Sequence, residues 1–434
     1  MPQHLLKILA GLFIGIFILV LAAGMALSID KPLSNWHLES SFDEPFDYAA
    51  GSFTDYIAWS ERRLRAARPD APSDTVIANL KPFELVPEGD CPTDDNGRYR
   101  NGIVLIHGLI ASPWSMRHIG EWFNARCFYV MGVLLTGHGS RPGDMLPATW
   151  EDWLADVDFA TNQLAGKVDR LFLSGHSAGG TLSILEAAQN PDVDALILFA
   201  PAMAIAPASK YAIWLSHLGR FFPAAAWFEL EPEETTTYRY ESFPFSAAAQ
   251  TWELILETQA RLASEPLTIP VMTVASAQDT TVDVQATFDF MQALENPLSH
   301  TLLYAQHSLP PYNRTQVVNS NLPADGIISL GHLGLMTPPD HPHYGRDGAY
   351  RYCGQYYGDE TDNFARCKAG ERDFYGEATE ENRGFGLIER IAFNPFYDDM
   401  LAEIRLFLDQ LAMDTRGLPL PPQLPGGNIP DLDN

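Results

Sequence analysis

Basic residues are scarce in this chain. Its 434 residues include 28 lysines and arginines against 55 aspartates and glutamates, a formal net charge of −27. So negative a body repels polyanions, which argues against nucleic acid and anionic membrane surfaces as its partners. Long acidic runs are missing too, so an acidic binding tail is not expected. There are four cysteines, Cys91, Cys127, Cys353 and Cys367, and none stands in a CxxC or other metal-like spacing. That argues against a cysteine-built metal or redox site. No internal repeat is present, and no metal-ligand cluster.

What is present supports a full core. Hydrophobic residues make up 46% of the chain, which excludes global disorder, and its length allows one large catalytic domain with insertions, or two domains. From Ile8 to Ile29 no residue is charged. At about 1.5 Å per residue this run is long enough to span a ~30 Å hydrocarbon core. Lys7 precedes it and acidic residues dominate beyond Lys31, so the expectation is an anchor over residues 1–29 with the body exported to the periplasmic or extracellular side. The rival is a cleaved signal segment and a secreted body, for which Ala22, Ala23, Gly24 and Ala26 supply small residues. No cysteine in this run offers a lipid attachment. In an exported body the simplest disulfide pairing is between neighbours, Cys91–Cys127 and Cys353–Cys367, and the alternative is four free thiols in a reducing compartment.

Residues 30–100 read as a polar approach segment with one helical stretch, Phe53 to Arg65. From Asn101 short apolar runs alternate with helical ones. Gly102–His107, Phe128–Leu135, Arg170–Ser174, Asp194–Phe199, Val271–Ala275 and His300–Tyr304 are expected strands, and Pro113–Ala125, Trp150–Leu164 and Val282–Leu294 expected helices. Thr149 followed by Asp152 resembles a capping box. This alternation predicts a doubly wound, mostly parallel α/β sheet over residues 101–415. Between about 205 and 266 it gives way to an aromatic-rich helical stretch, read as a cap over the site. Residues 306–385 are polar and rich in glycine and proline. Leu401–Leu411 is a closing helix, and residues 416–434 form a proline-rich tail expected to be disordered.

The chemistry centres on Gly175-His176-Ser177-Ala178-Gly179. A short apolar run precedes it and a helical sequence follows, the setting of a nucleophile elbow. Glycines permit a tight turn that lifts the serine hydroxyl out of the sheet. The Ala178 amide at the helix N-terminus favours negative charge there. An activated serine needs a base, and the base an acid, in the order Ser, Asp, His. Asp279 follows the Val271–Ala275 strand by a short loop and is the preferred acid, with Asp283 as rival. His332 follows the apolar run Ile327–Leu330 and is the preferred base, with His307 as rival. His341 and His343 are read as exposed, and His107 and His138 as loop-structuring. Leu109, after His107-Gly108, would supply the second oxyanion amide.

With these pieces and Gly137-His138-Gly139, residues 101–335 resemble the α/β-hydrolase superfamily. Within it they look like the branch of monoacylglycerol lipases, carboxylesterases and serine aminopeptidase S33 enzymes. The resemblance implies an α/β-hydrolase fold, a triad of Ser177, Asp279 and His332, an oxyanion hole from Leu109 and Ala178, and no cofactor or metal. The leading expectation is hydrolysis of a lipid or short-chain ester. An aminopeptidase reading would need an acidic group for the substrate ammonium, for which Glu229, Glu231, Glu233 and Glu234 are candidates. A silent hydrolase fold serving as a binding module is the third reading.

Overall fold

The computed structural model describes residues 32–219, 221–231, 236–309, 312–357 and 362–414. The apolar run from Ile8 to Ile29 and the tail from Arg416 lie outside the described residues, among which no helix is long and apolar enough to cross a membrane.

The strands in chain order are β1 (Phe83–Leu85), β2 (Tyr99–Ile106), β3 (Phe128–Val133), β4 (Val168–His176), β5 (Val193–Phe199), β6 (Trp227–Glu229), β7 (Phe243–Pro244), β8 (Val271–Ser276), β9 (His300–Ala305), β10 (Thr315–Asn319), β11 (Phe374–Gly376) and β12 (Ile388–Arg390). Among the described residues, eight of them form one sheet in the order β1-β3-β2-β4-β5-β8-β9-β10. β1 runs antiparallel to β3 at the edge, and all the other neighbours are parallel.

The apolar runs are continuous because helices cover both faces of the sheet. Side chains alternate between faces with period two. Ile103, Leu105, Phe172, Ile197 and Phe199 pack with the helices Trp114–Asn124 and Tyr397–Asp414. Val104, Ile106, Leu171, Leu173, Leu196 and Leu198 pack on the opposite face with Trp150–Ala165 and Ala178–Gln189. The helix Trp150–Ala165 starts where Thr149 and Asp152 close a capping box. The chain winds outward from β2 to β3, then crosses back to β4 on the other side of β2. Loops leaving the carboxyl ends of β2 and β4 therefore meet at a topological switch point, where ligands bind in open α/β sheets.

Several expectations give way here. The segment before residue 101 is not merely an approach. Its helix Phe53–Ala67 buries Phe53 and Tyr56 in the second core, and β1 extends the sheet. β10 lies inside the stretch read as polar and irregular. Thr315 and Val318 are buried, Gln316 and Val317 half-buried and Asn319 exposed, so its five residues show no period of two for the sequence to reveal. Ile327–Leu330 is not a strand. Ile327 makes only isolated bridges, to Leu322 and Tyr375. The disulfides Cys91–Cys127 and Cys353–Cys367 both form, which overturns the free-thiol alternative.

Candidate active site

β4 ends at His176, and the helix Ala178–Gln189 begins immediately after Ser177. Ser177 carries φ 56°, a conformation costly for a residue with a Cβ. The surrounding packing enforces it. A Cβ on Gly175 would lie 2.1 Å from the Gly179 carbonyl oxygen, and one on Gly179 would lie 2.3 Å from that of Ile106. Only glycines let strand and helix close so tightly around the serine.

Ser177 lines a cavity of about 620 Å³ together with Leu109, Ala178, His176 and His332. Asp279 follows β8 and stands behind His332, its Oδ2 2.7 Å from His332 Nδ1, with the two side chains 1% and 4% exposed. Asp279 Oδ1 accepts from the amides of Thr281 (2.7 Å) and Val282 (3.1 Å). Burial pushes the Asp279 carboxyl upward, but the His332 imidazole and these donors outweigh it and hold it below its ordinary value. Nδ1–H of His332 thus donates to a carboxylate, which leaves Nε2 as the basic nitrogen.

The rivals lie elsewhere. Asp283 caps the helix Val284–Ala293, accepting from the Gln285 amide at 2.9 Å. His307 is exposed and pairs with Glu381 at 3.1 Å. His341 is buried and His343 half-buried, not exposed as expected, because both rings pack on Trp114. His107 donates from Nδ1 to the Gly108 carbonyl (2.8 Å) and accepts the Leu135 amide (3.1 Å), so it ties together the loops after β2 and β3. Burial drives its imidazole well below its ordinary value and that of His138 to about 4.

Three positioning contacts were not read from the sequence. His176, the variable residue of the elbow itself, donates from Nε2 to the His332 carbonyl at 3.0 Å. Burial pushes its imidazole down to about 3, so it stays neutral. Glu377 is buried. Its carboxylate accepts the His332 amide (3.1 Å) and the Thr280 hydroxyl (2.8 Å), and so joins the base loop to the acid loop. Arg390 completes the brace, 2.5 Å from Glu377 and 3.0 Å from the Thr281 hydroxyl. The one signal available was Gly331. A Cβ there would lie 2.1 Å from the Glu377 carboxylate, so the glycine makes room for the brace.

From the stretch 205–266, Ile205, Phe228 and Phe243 line the cavity, whereas Trp227 is buried in its own cluster and Trp214 and Phe221 are exposed. Glu229 and Glu231 also line it. Glu233 and Glu234 lie outside the described residues. Residues 344–390 form a second wall, with Tyr344, Tyr350, Tyr352 and Lys368. Among the described residues there is no group of three or more His, Cys, Asp or Glu side chains able to hold a metal ion.

A mostly parallel sheet, a strained serine after its fourth strand and His332, backed by Asp279, on the cavity that Ser177 lines give the chain an α/β-hydrolase fold. Residues 97–308 match the model of the serine aminopeptidase S33 family, which ends before His332 and the Glu377–Arg390 brace. The chain is 27% identical over 178 residues to a thermostable monoacylglycerol lipase of Bacillus sp. (strain H-257), covering 41% of this chain and 70% of that one. Among solved structures it resembles a metagenome-derived lipolytic enzyme, with 24% identity, TM-score 0.43, and coverage of 52% of this chain and 87% of that one. It also resembles the monoacylglycerol lipase of Paleococcus ferrophilus, with 18% identity, TM-score 0.42, and coverage of 52% and 88%.

Proposed function

We propose that this protein hydrolyses a carboxylic ester through an acyl-enzyme on Ser177. The observation that carries the reading is the His332–Asp279 pair at 2.7 Å on the cavity that Ser177 lines with a positive φ. His332 Nε2 takes the Ser177 proton as Oγ attacks the ester carbonyl. The amides of Ala178 and Leu109 hold the oxyanion. Collapse breaks the bond to the alcohol, which receives the proton from His332. Water then attacks the acyl-enzyme by the same route in reverse roles, releasing the acid and restoring Ser177. Each oxyanion donor is worth about 10²–10³ in rate in such sites.

Apolar residues near Ser177, among them Leu109, Ile110 and Ile205, support an acyl chain as the group bound there. The second reading, an aminopeptidase, is favoured by one observation: Glu229 and Glu231 line the cavity, where a carboxylate can hold a substrate ammonium. The same proposal includes export. Two disulfides and the uncharged run from Ile8 to Ile29 support an oxidising compartment and an N-terminal anchor or signal segment.

The test is a panel of p-nitrophenyl esters and aminoacyl-p-nitroanilides with wild type and Ser177→Ala, alongside labelling by a fluorophosphonate. Ester turnover and labelling that both vanish in Ser177→Ala support the reading. Labelling retained in the variant, or anilides cleaved in preference to esters, would overturn it.

A further inference from the structure

The cavity has two chemistries. The wall near Ser177 is apolar, with Leu109, Ile110, Ala202, Ile205 and Met336. The segment 344–390 supplies tyrosines and cations instead: Tyr350, Tyr352, Arg351, Lys368, Arg383 and Arg390. Most of these cations are committed. Lys368 pairs with Glu241, Arg351 reaches Glu389 at 3.9 Å, and Arg390 holds Glu377 at 2.5 Å. Arg383 is exposed and donates to the Ala378 carbonyl.

Arg239, which reaches the same cavity from the cap, is different. Its guanidinium lies over the rings of Tyr352 (5.0 Å) and Tyr350 (5.9 Å). Among the described residues no carboxylate lies within 4.0 Å of it, although Glu229 of the same cavity is near enough for the two charges to act on each other. Arg239 is half-buried, so its guanidinium is partly solvated in the free protein; a ligand that fills the cavity withdraws it further, which costs several kcal/mol unless the ligand brings an anion, while a tyrosine face returns only about 0.5–2 kcal/mol. Its planar fork matches two oxygens of one carboxylate or phosphate. It also lies near enough to Ser177 for its charge to act on His176, the neighbouring residue.

We propose that Arg239 is the anion subsite of this cavity, and that the substrate is an ester whose alcohol part carries an anionic oxygen group, a carboxylate or a phosphate. This rests on the ester reading above and names its substrate class. The acyl chain occupies the apolar wall, and the anion lies on Arg239 between the tyrosines. Glu229 and Glu231 share the cavity and would favour a cation instead. Burial pushes both carboxyls upward, opposed at Glu229 by Arg239 and Arg390 and at Glu231 by Lys368, so an anionic ligand on Arg239 competes with Glu229 for the guanidinium, which its planar fork favours.

The experiment compares three esters with one acyl chain: a monoacylglycerol, its 3-phosphate, and the acyl ester of lactate. The full-length protein, Arg239→Gln and Arg239→Lys are assayed for kcat and KM on each. Wild type should prefer an anionic ester over the neutral one by about ten- to a hundredfold in kcat/KM. Arg239→Gln should lose that ratio chiefly through KM, and Arg239→Lys should keep part of it, since a point charge remains without the fork. Whichever anionic ester holds the preference identifies carboxylate or phosphate as the group. No anionic preference in wild type, or one undiminished in Arg239→Gln, overturns the proposal. Turnover of p-nitrophenyl acetate and fluorophosphonate labelling report the ester reading independently, so its failure is distinguishable from failure of the anion subsite. Labelling also shows that each variant is folded at the serine.

Discussion

His332 is held at three points: its side chain by Asp279, its amide by Glu377 and its carbonyl by His176. His332→Ala should lower kcat by orders of magnitude and His307→Ala should leave it nearly unchanged, since His307 pairs only with Glu381 at the surface; steady-state kinetics on one ester decides. Glu377→Gln keeps the shape but removes the charge facing Arg390, and breaking a buried pair costs about 3–5 kcal/mol. Loosening both loops should lower kcat with little change in KM. A lower melting temperature with kcat intact would mark Glu377 as structural alone. Asp279 also carries a pH dependence. Its folded carboxyl titrates below its unfolded value, so its share of stability is complete above the ordinary range near pH ~4 and is lost as pH falls through the lower folded value. Asp279→Asn should therefore reduce the urea midpoint at pH 7, and the difference from wild type should shrink as pH falls through the lowered folded value.

At the scale of elements, the site is made by turns between strands and helices and by an insertion. The elbow exists because β4 and the following helix approach with no room for a Cβ. Gly179→Ala should fail to fold or should lose fluorophosphonate labelling together with stability, as seen by circular dichroism and probe labelling. The insertion 344–390 is a different construction. Its described residues form β11 paired with β12 and short helices, and the Cys353–Cys367 bridge closes a 14-residue separation within it. In the chain-entropy model such a bridge is worth about 3 kcal/mol. Replacing both cysteines by serine should lower the melting temperature and raise KM more than it lowers kcat, because Cys353 and Lys368 border the cavity while the His332–Asp279 pair stands outside the loop. Equal losses in kcat and KM would mean that the insertion also governs the triad.

For the whole molecule, the cavity of about 620 Å³ sets a length scale for the acyl group. Each further buried CH₂ gains up to ~0.8 kcal/mol until the apolar wall is full. Ester kcat/KM should rise over the first few acyl carbons and then level, whereas a flat response would remove the acyl assignment of that wall. If the run Ile8–Ile29 is retained, full-length protein sediments with membranes and its body is digested by protease added on the exported side. A soluble mature chain beginning near residue 30 would instead show cleavage.

Much of the site was legible because its chemistry is local. Gly175–Gly179 carries its own turn, and Asp279 follows an apolar strand by a short loop. Chain order singled out His332, the histidine that meets Asp279, even though the run before it is not a strand. The parallel sheet was legible too, because strands buried on both faces leave uninterrupted apolar runs. β1 and β10 were not, since three and five residues are too short for a period to register. The brace of Glu377 and Arg390, and the guanidinium of Arg239 over the rings of Tyr350 and Tyr352, have no local signature. They join residues separated by tens to more than a hundred positions, through backbone amides and charge balance that exist only once the chain is folded. The sequence by itself determined the strand–turn–helix that strains Ser177 and the α/β architecture beneath it. Tertiary structure alone decided which carboxylate steadies His332 and which cations in the cavity have no ion pair among the described residues. Those are matters of distance in a low-dielectric interior, where an ion pair made or missed is worth several kcal/mol.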